Sequence, residues 1–141
     1  VEELKLALSD ALKVPQTEQK CCLVGLGRMG QILLDNAELE HTAFRLVAGF
    51  DSNVNRTEVL RSAFPLHPTT MLESVIREEE IRFAILTVPA KEAQALALRL
   101  SESGIRGIVN YTPTVLALPP TVTVENVGIL TALEMLSATE V

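Results

Sequence analysis

Gly25, Gly27 and Gly30 stand in the spacing Gly-x-Gly-x-x-Gly, directly after the apolar pair Leu23-Val24 and directly before a helical pattern. Glycines so placed can cradle the phosphates of a nucleotide. The first permits a tight strand-to-helix turn, the second leaves the backbone open to a pyrophosphate, and the third lets helix and strand approach closely. The anion would sit at the positive end of the helix that Arg28 and Met29 open. A second apolar run, Phe44 to Phe50, ends in Asp51, about 20 residues past Gly30, where such cradles carry an acid for the ribose. A carboxylate there accepts the ribose hydroxyls and repels a 2′-phosphate, which favours NAD(H) over NADP(H). The same residue could instead cap the next turn with Ser52 and Asn53 beside it. Arg56 could reach an added phosphate, although an exposed helix position is the commoner fate of such an arginine.

Residues for catalysis are scarce. His41 lies in a polar stretch and His67 between Leu66 and Pro68, both away from the expected crevice, whereas a general acid or base must reach the reacting atom within hydrogen-bond distance. The sequence holds no Ser-His-Asp arrangement and no metal-ligand cluster, and Lys91 belongs to the first turn of a helix. A hydride-transfer enzyme also needs a place for its second substrate, for which this chain has too little length. The residues therefore read as a dinucleotide-binding domain and not as an enzyme.

The elements that must position these residues follow from hydrophobic patterning. With 141 residues and 48% hydrophobic content, the chain can build one domain with a sizeable core. A net charge of −6 argues against this segment alone gripping a nucleic acid, which needs Lys and Arg to neutralise phosphates. Adjacent Cys21 and Cys22 point to opposite faces of a strand and read as buried thiols in a reducing compartment. No apolar stretch approaches the roughly 18 residues of a membrane span, and no signal-peptide pattern opens the chain, so a cytoplasmic domain without membrane contact is expected.

From Cys21 onward, apolar runs alternate with amphipathic stretches, the mark of βα units and a parallel sheet. Strands are expected near 21–25, 45–50, 64–67, 82–87, 107–110 and 121–125, and helices near 28–38, 54–62, 69–79, 90–103 and 127–138. The run Ile81 to Val88 is almost continuously apolar and predicts a central strand covered on both faces. Loops after Val24, Leu86 and Val109 should line one crevice at the carboxyl edge of the sheet. The fold class is α/β, a doubly wound, mostly parallel, Rossmann-like NAD(P)-binding domain. Its expected divisions are a lead-in helix and linker over 1–17, the dinucleotide-binding domain over 18–126 and a C-terminal helix over 127–141. Val1, Leu4, Leu8 and Leu12 begin inside a helical pattern with no cap of their own, so the chain is expected to continue from a longer protein.

The glycine loop, Asp51, Ala84 to Ala90, Gly104 to Pro113 and Val122 to Val127 occur together in an order that resembles the Rex family of bacterial redox-sensing transcriptional repressors. The resemblance covers nearly the whole chain, with Val1-Glu2-Glu3-Leu4 falling just after that family's winged-helix domain. It implies a domain that senses NADH against NAD⁺, a homodimer with exchanged C-terminal helices, and operator DNA bound through an N-terminal domain outside this chain. It places the pyrophosphate on Gly25, Gly27, Arg28, Met29 and Gly30, and the adenosine ribose on Asp51. Thr87, Val88 and Pro89 would pass along the cofactor, with Asn110, Tyr111 and Pro113 near its nicotinamide half. The face Leu130, Leu133, Leu136 suits a helix given to a partner, although the same leucines could pack on their own sheet. Two positions depart from the family pattern: Gly128-Ile129 stands where an Asp-aromatic pair is expected, and Asn36 where a tyrosine is expected. Without an acid at Gly128 to answer the nicotinamide charge, the neutral reduced form is expected to bind better. The alternatives are a CoA-binding Rossmann domain of the acyl-CoA synthetase type, against which Asp51 argues, and the cofactor half of a dehydrogenase.

Overall fold

In the computed structural model, which describes residues 18–35, 39 and 41–140, the apolar runs form β1 (Gln19–Val24), β2 (Phe44–Asp51), β3 (Leu66–Pro68), β4 (Phe83–Leu86), β5 (Gly107–Asn110) and β6 (Thr123–Asn126). The expected lead-in helix over 1–17 and the position of Asn36 lie outside the described residues. All six strands pair in parallel, in the order β3-β2-β1-β4-β5-β6. The doubly wound, Rossmann-like expectation is borne out. The order reverses between β1 and β4, and in such sheets ligands bind outside the strands' carboxyl ends at the reversal.

Helices α1 (Arg28–Leu33), α2 (Val54–Val59), α3 (Leu72–Glu79), α4 (Ala90–Glu102) and α5 (Ile129–Thr139) join or follow the strands. Alternation along the strands, shifted in β2 by a register irregularity between Leu46 and Ala48 opposite Cys21 and Cys22, divides the core between the two sheet faces. Cys22, Val24, Ala48, Phe50, Ala84, Leu86 and Ile108 pack with Leu72, Val75 and Ile76 of α3 and Ala93, Leu96, Ala97 and Leu100 of α4. Cys21, Leu23 and Leu46 face the other way, with Leu26 and Phe64. Burial pushes both thiol pKa values up, most strongly at Cys22, so neither is a ready nucleophile.

Several elements differ from their expected bounds. Helix α2 ends at Val59 instead of reaching 62, because Leu60 turns extended and packs beneath the sheet near Phe64. The stretch expected as helix from 69 begins with a 3₁₀ turn, Thr69–Met71, before α3 proper. Helix α1 gives way to a turn at Leu34 and Asp35. With β1, β4 is one of the two central strands, yet among the described residues only one of its faces is well covered. Ala84 and Leu86 are buried, whereas Phe83 and Ile85 are half-buried and line an apolar groove with Cys21, Phe44 and Val109. Residues 111–122, between β5 and β6, contain no helix to cover that half of the sheet. Helix α5 buries none of its residues, so its leucines do not pack on their own sheet.

Candidate functional site

At the carboxyl edge, the turn after β1 and the loop after β4 are tied together at the strand-order reversal. The Thr87 amide donates to the Val24 carbonyl at 2.8 Å, and its hydroxyl donates to the Gly25 carbonyl at 2.9 Å. Gly25 has φ +106°, and a Cβ there would stand 2.7 Å from the Thr87 hydroxyl, so both conformation and packing demand glycine. At Gly30 a Cβ would fall on the Gly25 carbonyl oxygen, which is how α1 comes so close to the turn. Gly27 is different. A Cβ there would meet no atom within 4 Å, so the packing of the protein gives no reason for glycine.

The space over Gly27 is a cleft of 430 Å³, lined by Gly25, Gly27, Arg28, Met29, Asp51, Thr87, Val88 and Pro89 among others. That volume falls within the usual range for small-molecule sites. Eight residues singled out from the sequence thus meet around one space, with Gly30 buried behind them. Ser52, Arg56, Thr69, Glu92 and Leu96 complete the lining. Thr69, Glu92 and Leu96 were missed by sequence reasoning. For Glu92 and Leu96 the signal was present, since they lie one and two turns into the helix that starts after Pro89; Thr69 follows a three-residue edge strand and carries no motif.

Asp51 is 5% exposed and is held from several sides. Its Oδ2 accepts from the Leu26 amide at 2.6 Å and from Arg56 Nη1 at 3.4 Å, while Oδ1 accepts from the Asn53 amide at 2.7 Å. The carboxylate therefore organises the glycine turn and the turn into α2, as well as facing the cleft. The capping role weighed in the sequence is present beside the cleft position.

The loop after β5 does not join this lining. Asn110 is buried and its side chain is used internally, donating to the Thr114 carbonyl and to Asn126 Oδ1 and accepting from the amide and hydroxyl of Thr112. The Tyr111 amide donates to the Leu86 carbonyl, and Pro113 is exposed further along the edge. The expected single crevice thus reduces to a cleft made by the loops after β1 and β4 and the turns after β2 and β3. His67 packs against Phe50, with ring centroids 5.6 Å apart, and His41 lies before β2 at the opposite edge; neither lines the cleft. No group of metal-ligating side chains occurs among the described residues.

Residues 16–114 match the model of the CoA-binding domain family, described as "CoA binding domain". The chain belongs to that family. Within it, the likeness to Rex repressors read from the motifs is borne out by sequence and by structure. The redox-sensing transcriptional repressor Rex of Limosilactobacillus fermentum is 35% identical over 114 residues, covering 81% of this chain and 53% of that protein. Rex of Lactiplantibacillus plantarum is 32% identical over 134 residues, covering 95% of this chain and 60% of the relative. The chain thus spans about half the length of the curated relatives it matches. A crystal structure of RSP in complex with β-NAD⁺ and operator DNA superposes with a TM-score of 0.82 at 29% identity, over 96% of this chain and 62% of RSP. RSP, a Rex-family repressor, has also been crystallised with β-NADH.

Proposed function

We propose that this chain is the NAD(H)-sensing domain of a Rex-type repressor, in which binding of NADH relieves the hold of a separate N-terminal domain on operator DNA. The observation that carries the reading is Gly27, a glycine that the protein's own packing does not require, facing the cleft at the head of α1. A ligand backbone such as a pyrophosphate supplies the missing reason. The pyrophosphate lies over Gly25, Gly27, Arg28, Met29 and Gly30, with the adenosine ribose toward Asp51. Thr87, Val88 and Pro89 run along the cofactor, and Asn110, Tyr111 and Pro113 stand further along the edge toward its nicotinamide half.

The sensing domain extends over 18–126, preceded by a linker segment over 1–17 and followed by a dimerisation helix over 127–141. It forms a homodimer in the cytoplasm and does not catalyse a reaction. The bound NAD⁺, NADH and operator DNA of RSP support the choice of ligand and of partner. Sensing requires different affinities for the two oxidation states in the two domain arrangements, since a ligand that binds both equally shifts nothing.

Calorimetric titration of the chain with NADH, NAD⁺ and CoA tests the reading. NADH binding at least about tenfold tighter than NAD⁺, a difference of about 1.4 kcal/mol, is the expected result. Equal affinities would remove the sensing role and leave a nucleotide-binding domain. The CoA-binding family match gives a second reading some weight. Tight CoA with weak NADH would establish it.

A further inference from the structure

We propose that Arg56 sets the ribose specificity of this cleft, by pairing with Asp51 and offering a guanidinium to a phosphate carried on the adenosine ribose. The proposal rests on the dinucleotide reading above and refines it. An acid at the end of β2 refuses a phosphorylated ribose because its carboxylate faces the phosphate with free lone pairs and an uncompensated charge. Neither condition holds here. The Leu26 and Asn53 amides and Arg56 Nη1 all donate to the Asp51 carboxylate, so three of its roughly four lone-pair positions are occupied by the protein itself.

Arg56 also lies on the cleft wall, on the turn-and-helix segment that follows Asp51. Its side chain is 46% exposed, and its only ion pair among the described residues is the single 3.4 Å contact with Asp51. The rest of its planar fork is free of hydrogen bonds to the described residues. A guanidinium carries five donors, and paired donors are the geometry that binds a phosphate bidentately. Ser52, next to Asp51 and also lining the cleft, places a hydroxyl on the same wall. A ribose entering here meets a carboxylate already paired with a partly free arginine, instead of a bare anion. Ligands with a phosphomonoester on that ribose, at the 2′ position as in NADPH or at the 3′ position as in CoA, are therefore admitted.

The test uses adenosine ligands without nicotinamide or pantetheine, so that only the ribose end is compared. The full 141-residue chain is titrated with AMP, adenosine 2′,5′-bisphosphate and adenosine 3′,5′-bisphosphate, which share a 5′-monophosphate, and so are its Arg56→Gln and Arg56→Lys forms. In the parent chain, at least one bisphosphate is expected to bind within about threefold of AMP, and the one that does identifies the ribose position served. Arg56→Gln should lower the affinity for that bisphosphate relative to AMP by about tenfold or more, with Arg56→Lys between the two. Since α2 buries none of its residues, neither substitution threatens the fold. Two results would overturn the proposal: both bisphosphates binding more than about thirtyfold weaker than AMP to the parent chain, or a bisphosphate-to-AMP ratio unmoved by Arg56→Gln. If AMP binds and these ratios fail, Arg56 alone is excluded from the role. If no adenosine ligand binds at all, the dinucleotide reading falls and the proposal with it.

Discussion

Three glycines in one motif serve two different ends, and substitution can separate them. Gly25 and Gly30 are demanded by the protein, one by its positive φ and both by backbone atoms that leave no room for a Cβ. Gly27 has open space around it. Gly30→Ala should therefore destabilise the chain by about 3 kcal/mol or more, because the contact is with a carbonyl oxygen and not with a side chain that can move aside. Gly27→Ala should cost about 1 kcal/mol or less, the price of a poorer residue at the head of α1, while weakening NADH by about tenfold or more through the lost approach to the pyrophosphate. Denaturant melts and calorimetry on the two variants check the contrast. Gly27→Ala binding NADH as tightly as the parent would mean that the pyrophosphate does not pass over this residue. The motif was fully legible in the sequence, since glycine spacing is a local property. The way the three glycines divide between packing and open cleft was not, because it depends on Thr87, which arrives from a strand some 60 residues away.

At the scale of elements, α3 and α4 are joined by an ion pair that also fixes one wall of the cleft. Arg99 donates through Nε and Nη2 to both oxygens of Glu73, at 2.6 and 2.8 Å, and through Nη2 to the Thr69 carbonyl at 2.6 Å. The bidentate guanidinium holds the Glu73 carboxyl well below the usual 4.5, at about 2. A carboxyl whose pKa is lowered in the folded state stabilises the fold fully above its unfolded value and loses that contribution as pH falls through the folded one. Stability should therefore drop between about pH 4.5 and pH 2. Because both partners remain about a third exposed, solvent screening limits the effect to about 1 kcal/mol. Glu73→Gln should remove that share at neutral pH and flatten the acid limb of the stability profile, which melts across the pH range would record. An unchanged acid limb would mean that the pair is too well solvated to matter. Sequence periodicity marked α3 and α4 well, since each carries a repeating apolar face toward the sheet. It could not pair Glu73 with Arg99, nor end α2 at Val59, because both depend on neighbours brought in by the fold.

The molecule as a whole leaves two apolar surfaces without a partner among the described residues. One is the groove over β4 and β5, where Phe83, Ile85 and Val109 lie beneath no helix. The other is α5, on which Ile129, Leu130, Leu133, Met135 and Leu136 are between 55% and 81% exposed. Fully burying a leucine or isoleucine is worth about 1.5–3 kcal/mol, and a contiguous apolar face of this kind is characteristic of an association site. The missing cover on one surface and the missing bed under the other match in chemistry, and in a two-fold pair each copy can supply what the other lacks. The homodimer proposed above therefore accounts for both at once. Leu133→Glu combined with Leu136→Glu should convert a dimer at micromolar concentration into a folded monomer, read by sedimentation equilibrium. Neither residue lines the cleft, so affinity for NADH serves as an independent check that the fold survives. A parent chain that sediments as a monomer would remove the homodimer, a double variant that remains dimeric would place the subunit contact elsewhere, and either would leave α5 without its proposed role.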